Sequence, residues 1–407
     1  MEPDTWRDNV DRRTFLKAGM ATAAVAGLPL DTLGEETTAN KPPALPTRLL
    51  GRTGKKVTIL NLGAGREPSN RLLNATYDMG VRYIDTADCY ANGASEEALG
   101  KWMAKTGRRT EFCIVTKDHP RTPSQWVEMM ETRLAALQTD YIDLFFIHAL
   151  GEPGQSDADP TDIPQMKEWG AAAEKMKKTG KVHHVGFSTH SSMPLRIQLL
   201  NNAAKGGWVD AIMLSYDPPS VRDHAEFDKA LDTCHKAGIG LICMKEMRSV
   251  GEVPRILPQF KEMGLTPNQA VLHAVWSDER IATICSAMPN LGILKENTTA
   301  ARKFKPLDGD KVGAVMELYE RHGNTFCGGC DGRCQKAGCT KAAISDIARY
   351  LTYHERDGMP EEARALFAAL SPEQRDWHGA DLAAASAACL SKLDFAALLA
   401  RAEQKLA

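Results

Sequence analysis

No stretch of the 407-residue chain runs to about 18 consecutive apolar residues, the length a membrane-spanning helix needs. An ordinary spanning helix is therefore not expected. Nor does charge of one sign dominate: 50 Lys and Arg stand against 52 Asp and Glu, a formal net charge of −2. A basic footprint for nucleic acid is missing, and nucleic acid is not an expected partner. A glycine-rich phosphate loop is lacking too. Gly63-Ala64-Gly65 has no third glycine at the required spacing, which counts against a doubly wound open sheet. What remains is ordinary globular composition, 43% hydrophobic and 25% charged. The length suits one large domain and a smaller one.

What is present is an alternation. Short apolar runs fall at 58–63, 82–86, 112–116, 142–147, 182–187, 210–215, 239–244 and 281–285. Between them lie stretches of helical character such as 70–79, 123–137, 163–179, 224–237 and 266–277. Eight strand–helix units over roughly 250 residues is the size of a (β/α)8 TIM barrel. The expected fold is α/β: that barrel, followed by a small, mostly helical, cysteine-containing C-terminal domain.

Polar residues recur where those runs end. Asp85 and Tyr90 come after Val81-Arg82-Tyr83-Ile84, Lys117 follows 112–116, and His148 follows 142–147. In a parallel barrel the C-terminal strand ends converge on one face, where the chemistry of such folds is found. Singly, each residue has a plainer reading. A strand-end Asp before Thr is often a helix cap, a lone Tyr is packing, and a lone His is a satisfied core group. Four in order at successive strand ends are harder to dismiss. A free tyrosine has a pKa of about 10, and a neighbouring lysine cation would lower it. Asp85 would hold that lysine, and His148 would orient a carbonyl. Such a set suits protonation of a carbonyl oxygen while hydride arrives at carbon, from a donor no side chain supplies.

The motifs Asp85-Thr86-Ala87 through Tyr90, Glu96-Glu97-Ala98-Leu99-Gly100, Thr116-Lys117 and Asp143-Leu144 through His148 resemble the aldo-keto reductase family. The likeness covers about 46–305. It includes Leu50-Gly51-Arg52-Thr53-Gly54 at one end and Glu296-Asn297 at the other. By this resemblance Asp85 and Lys117 tune Tyr90 as the acid and His148 orients substrate, a small carbonyl or alcohol. The resemblance implies NAD(P)(H) across the barrel mouth. Gly63 and Ala64 would line its approach, Ser188 would reach the carboxamide, and Asn297 would be a further cofactor contact. Met213 falls where a glutamine often binds the carboxamide, and Met244 where an aromatic ring often stacks on the nicotinamide; both also read as core filling. Ile293 replaces an Arg common in members that prefer the phosphorylated cofactor. That departure opens NADH as an alternative, with Lys295 as a partial substitute for the missing cation.

The ten cysteines are unevenly placed. Cys327, Cys330, Cys334 and Cys339 fall within 13 residues, and Cys389 stands alone. Clustering of this kind reads as metal or cluster ligation more than as a disulfide framework. Cys327, Cys330 and Cys334 match the last three positions of C-x2-C-x2-C-x3-C-P, with Asn324 at the first and Gln335 in place of proline. The segment resembles a degenerate ferredoxin-like tail. One 4Fe–4S cluster on Cys327, Cys330, Cys334 and Cys389 is expected. A four-cysteine zinc site using Cys339 is the alternative, and a decayed motif is the third reading. Arg364 to Leu370 and Leu390 to Leu406 read as helices packed against it.

At the N-terminus, Asp11-Arg12-Arg13-Thr14-Phe15-Leu16-Lys17 precedes an Ala/Gly-rich apolar stretch from Ala18 to Leu30. This resembles a twin-arginine export signal, which makes the export machinery a partner and a periplasmic location the expectation. No small-x-small cleavage site follows at once, which is compatible with membrane retention. The expected organisation is signal and tether over 1–45, reductase barrel over 46–310 and ferredoxin-like tail over 311–407. A non-catalytic, redox-linked binding or scaffold module is the rival to an enzyme.

Overall fold

Eight parallel strands close into a barrel in the computed structural model, which describes residues 44–151, 158–247, 258–322, 327, 332–357, 359–389 and 393–407. A two-stranded antiparallel hairpin comes first, β1 (Thr47–Leu49) with β2 (Lys56–Thr58). The barrel strands are β3 (Leu60–Gly63), β4 (Tyr83–Asp85), β5 (Cys113–Asp118), β6 (Ile142–Ile147), β7 (Val182–Thr189), β8 (Ala211–Ser215), β9 (Gly240–Met244) and β10 (Ile281–Ala287). Each expected apolar run overlaps one of them, and β5, β7 and β10 extend two residues beyond theirs. They pair in chain order, and β10 closes the ring against β3.

Strand alternation decides what faces inward. Tyr83, Val115, Leu144, Phe146, Met213, Ile242 and Met244 form the interior cluster. Their neighbours Ile84, Ile114, Phe145, Ile212, Leu241 and Cys243 pack outward under the helices. Continuing the inward phase by two residues from Tyr83, Val115 and Phe146 gives Asp85, Lys117 and His148. The same period that fills the barrel with apolar side chains thus stacks three polar ones at its end.

The hairpin, which the apolar pattern did not reveal, brings Leu50 and Val57 into the interior cluster. Gly51 makes this fit. Its φ is +49°, and a Cβ there would lie 2.3 Å from the Gly238 carbonyl oxygen. A side chain is excluded on both counts.

Under the helices Trp126 is fully buried, its ring centroid 5.9 Å from those of Phe145 and Trp169 and 5.8 Å from that of Trp208. Trp126→Ala is expected to cost about 3–5 kcal/mol, read as a lower urea midpoint with an unchanged slope. A shift under about 1 kcal/mol would show that the site collapses onto the space left.

The C-terminal helices are Gly309–His322, Arg333–Ala337, Ile344–Thr352, Pro360–Ala369, Pro372–Arg375, Leu382–Ala388 and Phe395–Leu406. Most of them share a core of their own, in which Ile347, Tyr350, Phe367 and Leu399 surround Cys327, Cys334 and Cys389. Contacts gather Pro42–Ala407 into one compact unit.

Candidate active site

β4 ends at Asp85, but the chain keeps its register with β5 for three residues more. Thr86 N–H donates to the Val115 carbonyl at 2.9 Å and Asp88 N–H to that of Lys117 at 3.1 Å. The chain then turns sharply. Tyr90 opens a single 3₁₀ turn (Tyr90–Gly93), and Ala91 (φ +51°), Asn92 (φ +54°) and Gly93 (φ +89°) are all left-handed. Non-glycine residues in this region cost roughly 1–2 kcal/mol each. Such conformations collect at functional sites, where the surroundings enforce them. Here the turn brings Tyr90 back over the barrel end.

Lys117 uses its ammonium group fully. Nζ donates to Asp85 Oδ2 at 2.8 Å, to the Thr86 carbonyl at 2.8 Å and to Tyr90 Oη at 3.3 Å. It also lies 4.7 Å from the Tyr90 ring centroid. His148 stands edge-on to Tyr90, with ring centroids 5.6 Å apart. The structure therefore brings Asp85, Tyr90, Lys117 and His148 to one place.

Burial sets the protonation states. It raises the Tyr90 phenol well above its ordinary range, and the Asp85 charge pushes the same way. The expectation that Lys117 lowers the Tyr90 pKa is corrected: burial of the phenol raises it instead. Lys117 donates to the phenol oxygen, so the phenol keeps its own proton to give. Burial also raises the Asp85 carboxyl, against the opposing pull of Lys117. His148 is pushed down to about 3 by burial, with Asp88 opposing and His119 and Lys117 assisting, so its imidazole is neutral. The Cys89 thiol is pushed up, by burial and then by Asp88. It is not an activated nucleophile.

The cofactor candidates occupy neighbouring strand ends. Gly63 pairs with Asp85 across β3 and β4, and a Cβ there would meet Cys285 Sγ at 3.2 Å. Ala64 N–H donates to the Asp85 carbonyl at 2.8 Å. Ser188 pairs with Met213, and its Oγ accepts from Ala149 N–H at 2.9 Å. Met213 and Met244 lie in the barrel interior. Asn297 sits on the helix Leu291–Lys303, donating to Ser286 Oγ at 3.2 Å. Ile293, near the start of that helix, is exposed.

Several side chains around His148 have no part in the strand-end tetrad. Asp88, Cys89 and His119 surround His148. Cys89 Sγ is 3.5 Å from His148 Nδ1, and His119 Nδ1 is 3.3 Å from Asp88 Oδ1. Asp88 and Cys89 lay inside the quoted motif and His119 two residues after Lys117, so the signal was proximity alone. The tail also reaches the mouth. Arg349 Nη1 donates to the His190 carbonyl at 2.6 Å, and the Tyr353 hydroxyl meets His190 Nδ1 at 2.5 Å. Lys245 Nζ stands 4.2 Å from the Tyr353 ring centroid. The Glu362 carboxyl, raised by burial, feels the charges of Lys245, His119, Asp88 and Lys117. No sequence pattern announces these contacts.

Of the cysteine ligands, Cys327, Cys334 and Cys389 are buried in the tail core, while Cys330 and Asn324 lie outside the described residues. Cys339 is exposed. Among the described residues, these sulfurs do not form a set close enough for a single zinc ion.

Residues 60–251 match the Aldo/keto reductase family, and residues 9–29 match the twin-arginine translocation pathway signal sequence. The barrel is an aldo/keto reductase domain. The protein is an oxidoreductase of that type, and its signal directs it to export across the membrane. It is 26% identical over 312 residues to the aldo-keto reductase yakc [NADP(+)] of Schizosaccharomyces pombe, covering 67% of this chain and 85% of that one. The solved aldo-keto reductase AKR11C1 from Bacillus halodurans, in its holo form, matches with a TM-score of 0.54 at 20% identity, over 67% of this chain and 96% of that one. An aldo-keto reductase from Klebsiella pneumoniae in complex with NADPH matches with 0.54 at 22%, over 68% and 96%. At these identities the structural likeness shows the fold. Among the described residues, no helix is long and apolar enough to cross a membrane.

Proposed function

We propose that this protein moves hydride between a nicotinamide dinucleotide and a small carbonyl or alcohol, with Tyr90 as the proton donor. The observation that carries the reading is the Lys117 ammonium, buried and shared between Asp85 at 2.8 Å and the Tyr90 phenol at 3.3 Å. When bound, the dinucleotide supplies the hydride. Tyr90 gives its proton to the carbonyl oxygen as the hydride reaches carbon, Lys117 steadies the phenolate left behind, and neutral His148 orients the oxygen. Gly63, Ala64, Ser188, Met213, Met244 and Asn297 are the residues proposed to hold the dinucleotide. Ser188 and Gly63 lie on strand ends that suit this, and the two methionines offer an apolar face to the ring. The test is carbonyl reduction by the full chain with NADPH and NADH across aldehydes and ketones. No binding of either nucleotide and no turnover would defeat the proposal.

NADP(H) is the proposed form, as named for the S. pombe relative and the Klebsiella complex. Ile293 brings no charge to a 2′-phosphate, so exposed Lys295 is assigned that contact. Lys295→Ala is expected to weaken NADPH binding roughly tenfold, about 1.4 kcal/mol, and to leave NADH binding alone. Calorimetric titration reads both. Equal losses for the two would refute the assignment.

The proposed organisation is signal and tether over 1–45, barrel over 46–310 and tail over 311–407, with the nucleotide carried bound into the periplasm. A 4Fe–4S cluster on Cys327, Cys330, Cys334 and Cys389 is the finer reading of the tail, supported by three buried thiols in one core. A second reading, a binding or scaffold module on a reductase barrel, is favoured by the tail residues Arg349, Tyr353 and Glu362 seated at the mouth. Turnover by the wild-type chain separates it from the first.

A further inference from the structure

We propose that Asp88, Cys89, His119 and His148 form a binding site for a divalent transition metal of the zinc class, set at the mouth of the barrel beside Tyr90. Among the described residues, theirs is the one set of three or more His, Cys, Asp and Glu ligand atoms that lie within 4.8 Å of one another. The spacing approaches that of the ligands of a single ion. Zinc holds nitrogen and oxygen near 2.0–2.1 Å and sulfur near 2.3 Å, so tetrahedral neighbours stand about 3.3–3.6 Å apart. Here Cys89 Sγ and His148 Nδ1 are 3.5 Å apart. His119 Nδ1 and Asp88 Oδ1 are 3.3 Å apart, and His148 Nδ1 and Asp88 Oδ1 are 3.9 Å apart.

A second observation points the same way. Asp88 Oδ2 pairs with His119 Nδ1 at 3.4 Å, while Oδ1 is inaccessible to solvent and faces the His119 and His148 Nδ1 atoms at 3.3 and 3.9 Å without a well-aligned hydrogen bond. A buried carboxylate oxygen without a hydrogen-bond donor is costly, and a cation among these four atoms would satisfy it. The donor set also selects the ion. Two imidazoles, a thiolate and one carboxylate suit zinc over magnesium or calcium, which take oxygen ligands.

The backbone holds the four in place. Asp88 is still bonded to β5 through its N–H and the Lys117 carbonyl at 3.1 Å, and Cys89 follows it directly. His148 N–H donates to the Asp118 carbonyl at 2.8 Å, next to His119. The ligands thus come from three consecutive strand ends. On binding, the Cys89 thiol loses its proton to solvent and its sulfur bonds the ion, so one proton is released per metal bound. There is a consequence for catalysis, which rests on the function proposed above. Zinc bound at His148 Nδ1 would stand at the mouth beside Tyr90, where the carbonyl must enter, so zinc should inhibit hydride transfer.

The site is tested on the full chain stripped of metal and titrated with Zn²⁺ and, separately, with Co²⁺. Expected are tight binding of Zn²⁺ and a Co²⁺ spectrum whose thiolate charge-transfer band falls in Cys89→Ser. His119→Gln and Asp88→Asn, close in shape to the wild type, should weaken Zn²⁺ binding by on the order of 100-fold or more. Circular dichroism confirms that the variants fold, and X-ray absorption should show one sulfur and two imidazoles about the ion. Metal held by four sulfurs only, or a stoichiometry and spectrum that none of the three substitutions changes, would overturn the site. Zn²⁺ should also slow carbonyl reduction in the wild type far more than in His119→Gln. If no reduction is measurable at all, the proposed function falls while the zinc stoichiometry still decides the site.

Discussion

Tyr90→Phe is expected to lower kcat for carbonyl reduction by about 10²–10⁴-fold, the range that a positioned proton donor contributes. The loss should fall on kcat, because the phenol acts where charge develops on the substrate oxygen. NADPH affinity should hold, since the ring that packs edge-on to His148 is retained. Fold stability should change little, because Lys117 keeps its bonds to Asp85 and to the Thr86 carbonyl when the phenol oxygen is gone. Single-turnover kinetics with NADPH bound beforehand separate the chemical step from product release. A chemical rate equal to that of the wild type would take Tyr90 out of the mechanism. The variant also discriminates between mechanisms of the barrel. Burial keeps the wild-type phenol protonated, so its proton is ready before hydride moves. Among the described residues, neutral His148 is the titratable ring that packs against Tyr90, and a modest loss would mean that it takes over as donor.

How far the sequence disclosed this site follows from which forces act locally. Strand periodicity is a local property, so Asp85, Lys117 and His148 could be placed on successive strand ends, and the structure brings them together with Tyr90. The 3₁₀ turn that seats Tyr90 was not legible, because Ala91 and Asn92 adopt left-handed conformations that neither residue signals as glycine would. The protonation state was hidden for a related reason. Proximity to Lys117 could be inferred from the motif, but burial depends on everything packed around the phenol, and burial decides. The hairpin Thr47–Thr58 was hidden by its shortness, three residues to a strand. The tail contacts of Arg349 and Tyr353 with His190 join residues more than 150 positions apart. No periodicity carries such information. The grouping of Asp88, Cys89 and His119 about His148 is of the same kind: each residue was visible, and only the closed barrel makes them neighbours.

Lys117→Met should destabilise the fold by about 3–5 kcal/mol at neutral pH, the usual result of removing one partner of a buried ion pair. Side chains of Lys117 and Asp85 are 1% and 2% exposed, so solvent cannot take over from the missing ammonium. Methionine fills much of the same volume, which leaves the lost charge as the main change. The sign of the pH dependence follows from Asp85. Its carboxyl is already raised by burial while Lys117 pulls it down, and without the lysine it must rise further. An acid raised in the folded state costs stability as pH climbs from the unfolded carboxylate value, about 3.9, to the folded one. Below both values the two states carry the same proton and the cost vanishes. The deficit of Lys117→Met should therefore be largest at neutral pH and shrink toward pH 4. Asp85→Asn combined with Lys117→Met should recover part of it at neutral pH, because no buried charge is then left alone. Urea unfolding of the three proteins at both pH values measures this. An equal deficit at the two, or one below about 1 kcal/mol at neutral pH, would mean that Asp85 and Lys117 are not a buried pair, and the proton-donating site built on them would fail with it.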